Sequence, residues 1–180
     1  NSGILNWANG ANLLAANGAF QNLAGATWLA QGDMSFYDGV LVNAGTLRKT
    51  AGTGSLALNV GWQGGITSFS NAGLLESLSG TIDLYSGGTH TGTFRGVGQA
   101  QVVFRGGIHD FNSGAVADTG IVLNGATVNF NSGSTVTSLA TLLSGTVNVN
   151  AGANVSVGSL SVLGGTANFN TGSTATLTNL

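Results

Sequence analysis

The sequence contains no cysteine and no proline. Without cysteine, the chain can form neither disulfide bonds nor thiolate metal sites. The absence of proline, together with the lack of a strict Gly-X-Y period, excludes a collagen-like triple helix. No apolar run approaches the ~20 residues that a membrane-spanning helix requires, so we predict no membrane span.

Charge is also scarce, because charged residues make up only 6% of the chain, against ~25% in typical soluble domains. The basic residues number four, too few for nucleic-acid binding by phosphate neutralisation or for a polybasic membrane anchor. The polar surface must therefore be built from Asn, Ser, Thr and backbone groups. Such a surface repels a like surface only weakly and is compatible with stacking.

Glycine, in contrast, is abundant, with 31 residues among 180. In the second half, glycines close four similar segments at nearly constant spacing: 107–114, 126–133, 145–152 and 165–172. A fixed period of about 20 residues indicates a solenoid, in which each repeat forms one coil.

Apolar and polar residues alternate within each segment, as Val128, Asn129 and Phe130 illustrate. Period two predicts strands with one buried face, and equivalent residues of successive coils should stack ~4.8 Å apart. We therefore predict three columns along the stack. The first is an inward column of Phe111, Phe130, Val149 and Phe169. The second is a corner ladder of hydrogen-bonded asparagines, Asn112, Asn131, Asn150 and Asn170. The third consists of corner glycines with positive φ, Gly114, Gly133, Gly152 and Gly172.

These patterns predict an all-β protein: a parallel β-helix (β-solenoid) of about nine coils of roughly 20 residues. The rule that parallel crossovers are right-handed makes it a right-handed parallel β-helix. We expect a single domain over residues 1–180, with irregular coils in 1–106 and regular 19–20-residue repeats in 107–180. Each coil should hold two or three short strands. The interval from Gly87 to Gly114 is clearly longer than one repeat, which predicts a loop or a wider coil around positions 86–98.

Three segments of the first half, 41–54, 69–76 and 80–94, resemble the repeats of large bacterial surface proteins. They are similar to the β-helical passengers of autotransporters and to filamentous-haemagglutinin-like exoproteins, and the resemblance runs from around Val40 to the end. It implies export, a right-handed parallel β-helix and a role in adhesion, matrix or filament building. The chain begins without Met inside repeat-like sequence, so we expect a processed piece of a longer exported protein.

The expected function is a non-enzymatic structural or adhesive module of an extracellular or cell-surface bacterial protein, part of a filament or of a larger repeat protein. The ends of a β-helix expose unpaired strand edges, and we see no proline, lysine cluster or capping helix that would protect them. The predicted partner is therefore a neighbouring repeat or a second subunit stacked end to end. A polysaccharide or a host surface is a further candidate ligand, and no cofactor is expected.

The alternative function is a carbohydrate-active β-helix enzyme or a polysaccharide-binding module. Such an enzyme would need acids grouped on one face. Asp83 and Asp110 occupy strand positions that look equivalent and outward-facing, and Arg95 and Arg105 lie nearby in sequence. These four residues form a candidate ligand patch, although we favour solvated strand positions with weak local charge pairing.

The two histidines, His90 and His109, are too few to form a metal site alone, and His109 aligns with the inward-facing Val128. We interpret His109 as a core residue with satisfied hydrogen bonds. Early aromatic residues are predicted to fill wide N-terminal coils, with sugar stacking as the alternative: Trp7, Trp28, Phe36, Tyr37 and Trp62. Alternating threonines do not recur at one place in every coil, which argues against an ice-binding face.

Overall fold

The computed structural model describes residues 1–61, 67–159 and 161–179, and these residues form strands and turns without a helix. In the described part of the chain, twenty-three strands follow one another around three faces. Every strand pairing between successive coils is parallel. The chain is therefore a β-solenoid whose coils hold two or three strands each, which confirms the predicted fold class.

Face 1 is a separate nine-stranded sheet. Its strands are β1 (Ile4–Trp7), β4 (Thr27–Ala30), β7 (Thr46–Lys49), β10 (Leu74–Ser77), β13 (Thr93–Gly96), β16 (Val116–Ala117), β18 (Thr135–Val136), β20 (Asn154–Ser159) and β23 (Thr174–Asn179).

Faces 2 and 3 merge into a fourteen-stranded sheet because two long strands, β17 (Ile121–Phe130) and β19 (Leu139–Val149), run through both. Face 2 also holds β2 (Leu13–Leu14), β5 (Met34–Tyr37), β8 (Ser55–Val60), β11 (Thr81–Leu84), β14 (Gln101–Phe104) and β21 (Ser161–Val162). Face 3 also holds β3 (Ala19–Asn22), β6 (Val40–Asn43), β9 (Ser68–Asn71), β12 (Gly88–His90), β15 (Ile108–Phe111) and β22 (Thr166–Phe169).

The length of the coils varies along the stack. On face 1, paired residues of successive strands lie 23, 19, 28, 19, 23, 19, 19 and 20 positions apart. These intervals define eight coils, close to the nine expected. The first half thus mixes short coils with longer ones, whereas the coils that follow β16 are nearly uniform.

The prediction of a loop or a wider coil around positions 86–98 is wrong for most of that stretch. β12 is a regular strand of face 3, and Leu74 pairs directly with Thr93, so this coil is as short as the regular repeats of the second half. The extra residues of the next coil lie in the corner after β13, where Phe94 and Val102 are eight positions apart, against four between their partners Ala117 and Ile121. The pair Gly87–Gly88 suggests a turn, yet a side chain at Gly88 would overlap the carbonyl oxygen of Phe69.

The core lies inside the three faces and consists of columns of stacked apolar side chains. The column of face 1 contains Trp28, Leu47, Leu75, Phe94, Ala117, Val136 and Val155. The column of face 2 contains Leu58, Leu84, Phe104, Leu123 and Leu142. Burial of each large side chain contributes about 1.5–3 kcal/mol, so these columns hold the coils together from within.

Candidate functional site

A polar column replaces part of the apolar core behind face 3. Strand register places eight residues in one inward column: Asn22, Asn43, Asn71, His90, Phe111, Phe130, Val149 and Phe169. The predicted phenylalanine column is therefore the second half of a longer one. Its first half consists of asparagine and histidine, and these polar side chains are no more than 1% exposed.

The buried asparagines are joined to one another. Asn22 Nδ2 donates to Asn43 Oδ1 at 2.8 Å, and Asn43 Nδ2 donates to Asn71 Oδ1 at 2.7 Å. The same amide nitrogens also donate to the backbone of face 1, at Thr46 O and Leu74 O. Both amide hydrogens of Asn22 and of Asn43 therefore have acceptors, which is the condition under which a buried polar group is tolerated. We call these three residues the inner amide ladder.

This ladder stands at a tight corner between faces 3 and 1. The backbone N–H groups of Ala72 and Gly73 both donate to Asn43 O, and those of Thr91 and Gly92 both donate to Asn71 O. Only two residues separate the strands at such a corner. The recurring Asn-Ala-Gly sequence at 43–45 and 71–73 is the signal for this corner in the sequence. The burial of these asparagines in the core was not predicted.

His90 continues the polar column and contacts a second imidazole, His109, which lies two residues before Phe111 on the next strand of face 3. The backbone N–H of Asn71 donates to His90 Nδ1 at 3.2 Å, His90 Nε2 lies 3.0 Å from His109 Nδ1, and His109 Nε2 lies 3.0 Å from Gly106 O. Because His90 Nδ1 accepts, His90 Nε2 must carry the hydrogen and donate to His109. By the same logic, His109 Nε2 carries a hydrogen and donates to the carbonyl group.

Both histidines are fully buried in an aromatic cage. The His90 ring centroid lies 4.8 Å from that of Phe94 and 5.2 Å from that of Phe111, and the His109 centroid lies 4.7 Å from that of Phe104. Burial lowers the pKa of His109 to about 4. The pKa of His90 is lowered still further, chiefly by burial and secondly by repulsion from His109. Both rings are neutral at pH 7, and His109 is the satisfied core residue that its alignment with Val128 suggested.

The candidate ligand patch is not assembled as expected. Asp83 pairs with Ala57 and Val103 on face 2, whereas Asp110 pairs with Thr89 and Asn129 on face 3. The two aspartates therefore do not occupy equivalent positions. The segment Thr81–Leu84 matches the repeat in residue pattern only. It forms β11 on face 2, whereas the strand that pairs with β15 on face 3 is β12, which follows β11 in the chain.

The charged residues of the patch belong to separate pairs. Arg105 Nε lies 2.9 Å from Asp83 Oδ2, and the contact raises the pKa of Arg105. We describe it as an ion pair without a directed hydrogen bond, because the Arg105 Nε–H has no acceptor in hydrogen-bonding geometry. Arg95 instead contacts Glu76 on face 1, at 2.7 Å between Nη2 and Oε1.

Face 1 carries two further charged contacts that the sequence did not predict. Glu76 is 2% exposed and lies between Arg48 and Arg95, with an ion pair to each. Lys49 is completely buried; its Nζ donates to Ala51 O at 2.6 Å and to Gly52 O at 2.7 Å, and it lies 3.0 Å from Asp33 Oδ1. The hydrogen bond from Lys49 lowers the pKa of Asp33. Lysine in a strand gives no sequence signal of burial.

The corner residues of the second half lie where they were predicted. Asn131, Asn150 and Asn170 each donate from Nδ2 to the Oδ1 of the preceding asparagine, beginning with Asn112, at 2.9, 2.8 and 2.7 Å. The corner glycines Gly114, Gly133, Gly152 and Gly172 have φ angles of 90°, 78°, 77° and 81°. Phe111, Phe130 and Val149 are buried, whereas Phe169, in the last coil, is 45% exposed.

A second ladder runs beside this one on the outside of face 3. Asn129 Nδ2 donates to Asp110 Oδ1 at 2.7 Å, Asn148 donates to Asn129 at 2.7 Å, and Asn168 donates to Asn148 at 2.8 Å. Asn129 and Asn148 each use one donor and one acceptor along the axis, and each retains another of both kinds for solvent or a ligand. We call this series, from Asp110 to Asn168, the outer amide ladder.

Three of the early aromatic residues fill the core at the first coils. Trp7, Trp28 and Phe36 are buried, and the Trp7 and Trp28 ring centroids lie 5.1 Å apart. Tyr37 is partly exposed, and Trp62 lies outside the described residues. The prediction that early aromatic residues fill the core is therefore confirmed for these three buried residues.

Within residues 1–61, 67–159 and 161–179, no three His, Asp or Glu side chains come close enough to hold a metal ion. The same part of the chain contains no helix long and apolar enough to cross a membrane. Comparison with protein-family models, curated protein sequences and solved structures finds no match for this chain.

Proposed function

We propose that the chain is a non-enzymatic structural or adhesive module of an extracellular or cell-surface bacterial protein, part of a filament or of a larger repeat protein. The observation that carries this proposal is that the side-chain hydrogen bonds between amides run along the axis of the stack. The inner amide ladder, the corner asparagines and the outer amide ladder all bond one coil to the next. Bonds of this kind hold successive coils together along the axis of the stack. The bacterial and extracellular parts of the proposal rest on the resemblance to surface-protein repeats.

The end coils support stacking as the mode of assembly. Leu163 is 73% exposed and Phe169 45% exposed at one end of the stack, and Ile4 is 73% and Leu14 57% exposed at the other. These side chains lie in the same end coils as the edge strands. The backbone groups of an edge strand can pair with a further parallel strand. We propose that another β-solenoid coil, from a neighbouring repeat or a second copy, covers these ends.

Size measurements test the proposal. Sedimentation velocity over a range of concentrations, with electron microscopy of the same samples, should show assemblies that lengthen along the coil axis. Leu163→Lys should weaken this association because it places a charge on the end. Ile108→Lys is the matched control, because Ile108 is 60% exposed on the side of the stack. A chain that stays monomeric, or equal effects of both variants, would contradict end-to-end association.

A carbohydrate ligand is the second candidate, and the outer amide ladder is the observation that favours it. Its side chains are held in place by their neighbours and offer unused donors and acceptors. Enzymatic action on a polysaccharide has less support, because the carboxylates of Asp83 and Asp110 belong to different faces. Alanine replacement of each aspartate, assayed for polysaccharide binding and for cleavage separately, distinguishes these alternatives from a purely structural role.

A further inference from the structure

The hydrogen bonds around His90 and His109 admit a single distribution of hydrogens. The series begins at a backbone donor, Asn71 N–H, and ends at a backbone acceptor, Gly106 O. Three hydrogens serve its three bonds: that of Asn71 N and those on Nε2 of each ring. A fourth hydrogen would have to sit on a nitrogen that already accepts a bond, and two donors would then face each other.

The surroundings offer little compensation for an added positive charge. The rings that enclose the pair are aromatic, and the neighbouring strand β9 has no charged residue. On β13 and directly after β14, the charged groups are Arg95 and Arg105, which are cations paired with other carboxylates. The hydrogen bond with Gly106 O and, after it, the nearby carboxylate of Asp110 raise the pKa of His109, but each effect is smaller than the lowering by burial.

The pair also stands at a junction between two kinds of ladder. On its N-terminal side, the inner amide ladder joins the coils from within. On its C-terminal side, the corner asparagines and the outer amide ladder join the coils at the corner and on the outer surface. Amide side chains do not titrate in this pH range. The flanking coils therefore retain their side-chain bonds at a pH at which the histidine coils lose theirs.

We propose that the coils containing His90 and His109 form an acid-labile joint, which opens locally on protonation while the coils on both sides stay paired. The joint spans residues 88–111, from β12 to β15. Opening exposes the imidazoles to water, where each binds a proton readily below pH ~6.5. Acid therefore shifts the equilibrium towards the open form and leaves a break between two stable segments of the stack.

Hydrogen–deuterium exchange of the native chain at pH 7.5 and 4.5, corrected for the intrinsic exchange rate, tests this proposal. Below pH ~6.5, protection in peptides from 88–111 should fall about tenfold per pH unit for one proton bound on opening, and up to a hundredfold for two. Peptides from 19–49 and 126–157 should change much less. Equal loss along the whole chain, or unchanged protection at 88–111, would overturn the proposal.

The matched variant is the double substitution His90→Asn with His109→Val. Asparagine at position 90 continues the amide series from Asn71, and valine at 109 continues the apolar column with Val128. This variant should keep its protection at pH 4.5, because the joint no longer titrates. If its loss at 88–111 equals that of the native chain, carboxylates cause the opening and the proposal fails.

Imidazole NMR of the native chain provides a test that does not depend on the variant. At pH 7.5, both rings should carry hydrogen on Nε2 alone. On acidification, the signals of both rings should change together with the loss of protection at 88–111. Rings that titrate near pH ~6.5 in a fully protected structure would overturn the proposal.

Discussion

Asn43 Nδ2 donates to Asn71 Oδ1 at 2.7 Å, although the two residues are 28 positions apart in the longest coil of the stack. The next coil joins Asn71 to His90 across only 19 positions. The interior column therefore stays in register while the coil length changes. Added residues are accommodated outside the column, so the buried amides mark the positions where successive coils must align.

Removal of one buried amide should cost more than removal of an amide at the corner. Asn43→Leu leaves the Nδ2–H of Asn22 and the Oδ1 of Asn71 without their partner, and we expect the free energy of unfolding to fall by about 2–4 kcal/mol. Asn131→Leu breaks the same kind of bond where water can replace it, so a loss of about 1 kcal/mol or less is expected. Urea titration of both variants measures the difference, and equal losses would contradict a special role for the inner ladder.

Stability should decrease as the pH falls below ~6.5. The pKa values of His90 and His109 are lowered in the folded chain, so the unfolded chain binds more protons in this range. The stabilisation that the two neutral histidines provide is therefore fully present above pH ~6.5. As the pH falls towards the folded pKa of each histidine, the free energy of unfolding decreases by about 1.4 kcal/mol per pH unit for that histidine. The lowered pKa of Asp33 adds a loss of the same sign only below its ordinary value of 3.8.

Urea titrations at a series of pH values measure this dependence. The double variant His90→Asn with His109→Val should have a flatter profile between pH ~6.5 and ~4.5, because neither new side chain titrates. A native profile that is flat in this range would show that the two histidines take up protons equally in the folded and unfolded chains.

The two aspartates that look equivalent in sequence should respond differently to neutralisation. Asp110→Asn replaces the first member of the outer amide ladder by an amide that can still accept from Asn129, so we expect a change within about 0.5 kcal/mol. Asp83→Asn removes the buried carboxylate that pairs with the partly exposed Arg105, and about 1–2 kcal/mol should be lost. Thermal unfolding of both variants at pH 7 measures the contrast, and indistinguishable midpoints would argue against separate environments.

The corner glycines should resist substitution because of their backbone conformation. Gly133 has a φ of 78°, a region that costs L-residues about 1–2 kcal/mol and β-branched residues more. Gly133→Val should therefore be clearly destabilising, whereas Gly133→Asn should cost less because asparagine tolerates this region. Both variants add the same Cβ beside Ser113, so the difference between their unfolding free energies isolates the backbone effect. Equal losses would assign the cost to that contact.

The sequence alone determined the fold class and the uniform second half. Alternation such as Val128–Asn129–Phe130, with corner glycines at nearly constant spacing, is a local signal that repeats without interruption. In that half, nearly equal coil lengths place equivalent residues directly above one another. The corner asparagines and their glycines could therefore be assigned from spacing.

Only the tertiary structure decided which residues share a column in the first half. The first three coils differ in length, so equivalent residues have no constant spacing, and register there depends on pairing between strands that are distant in sequence. Two consequences escaped the sequence: His90 stands between Asn71 and Phe111 in the core, and Asp83 and Asp110 lie on different faces. A parallel strand shows by itself which side chains alternate, but not which residue of the next coil it meets.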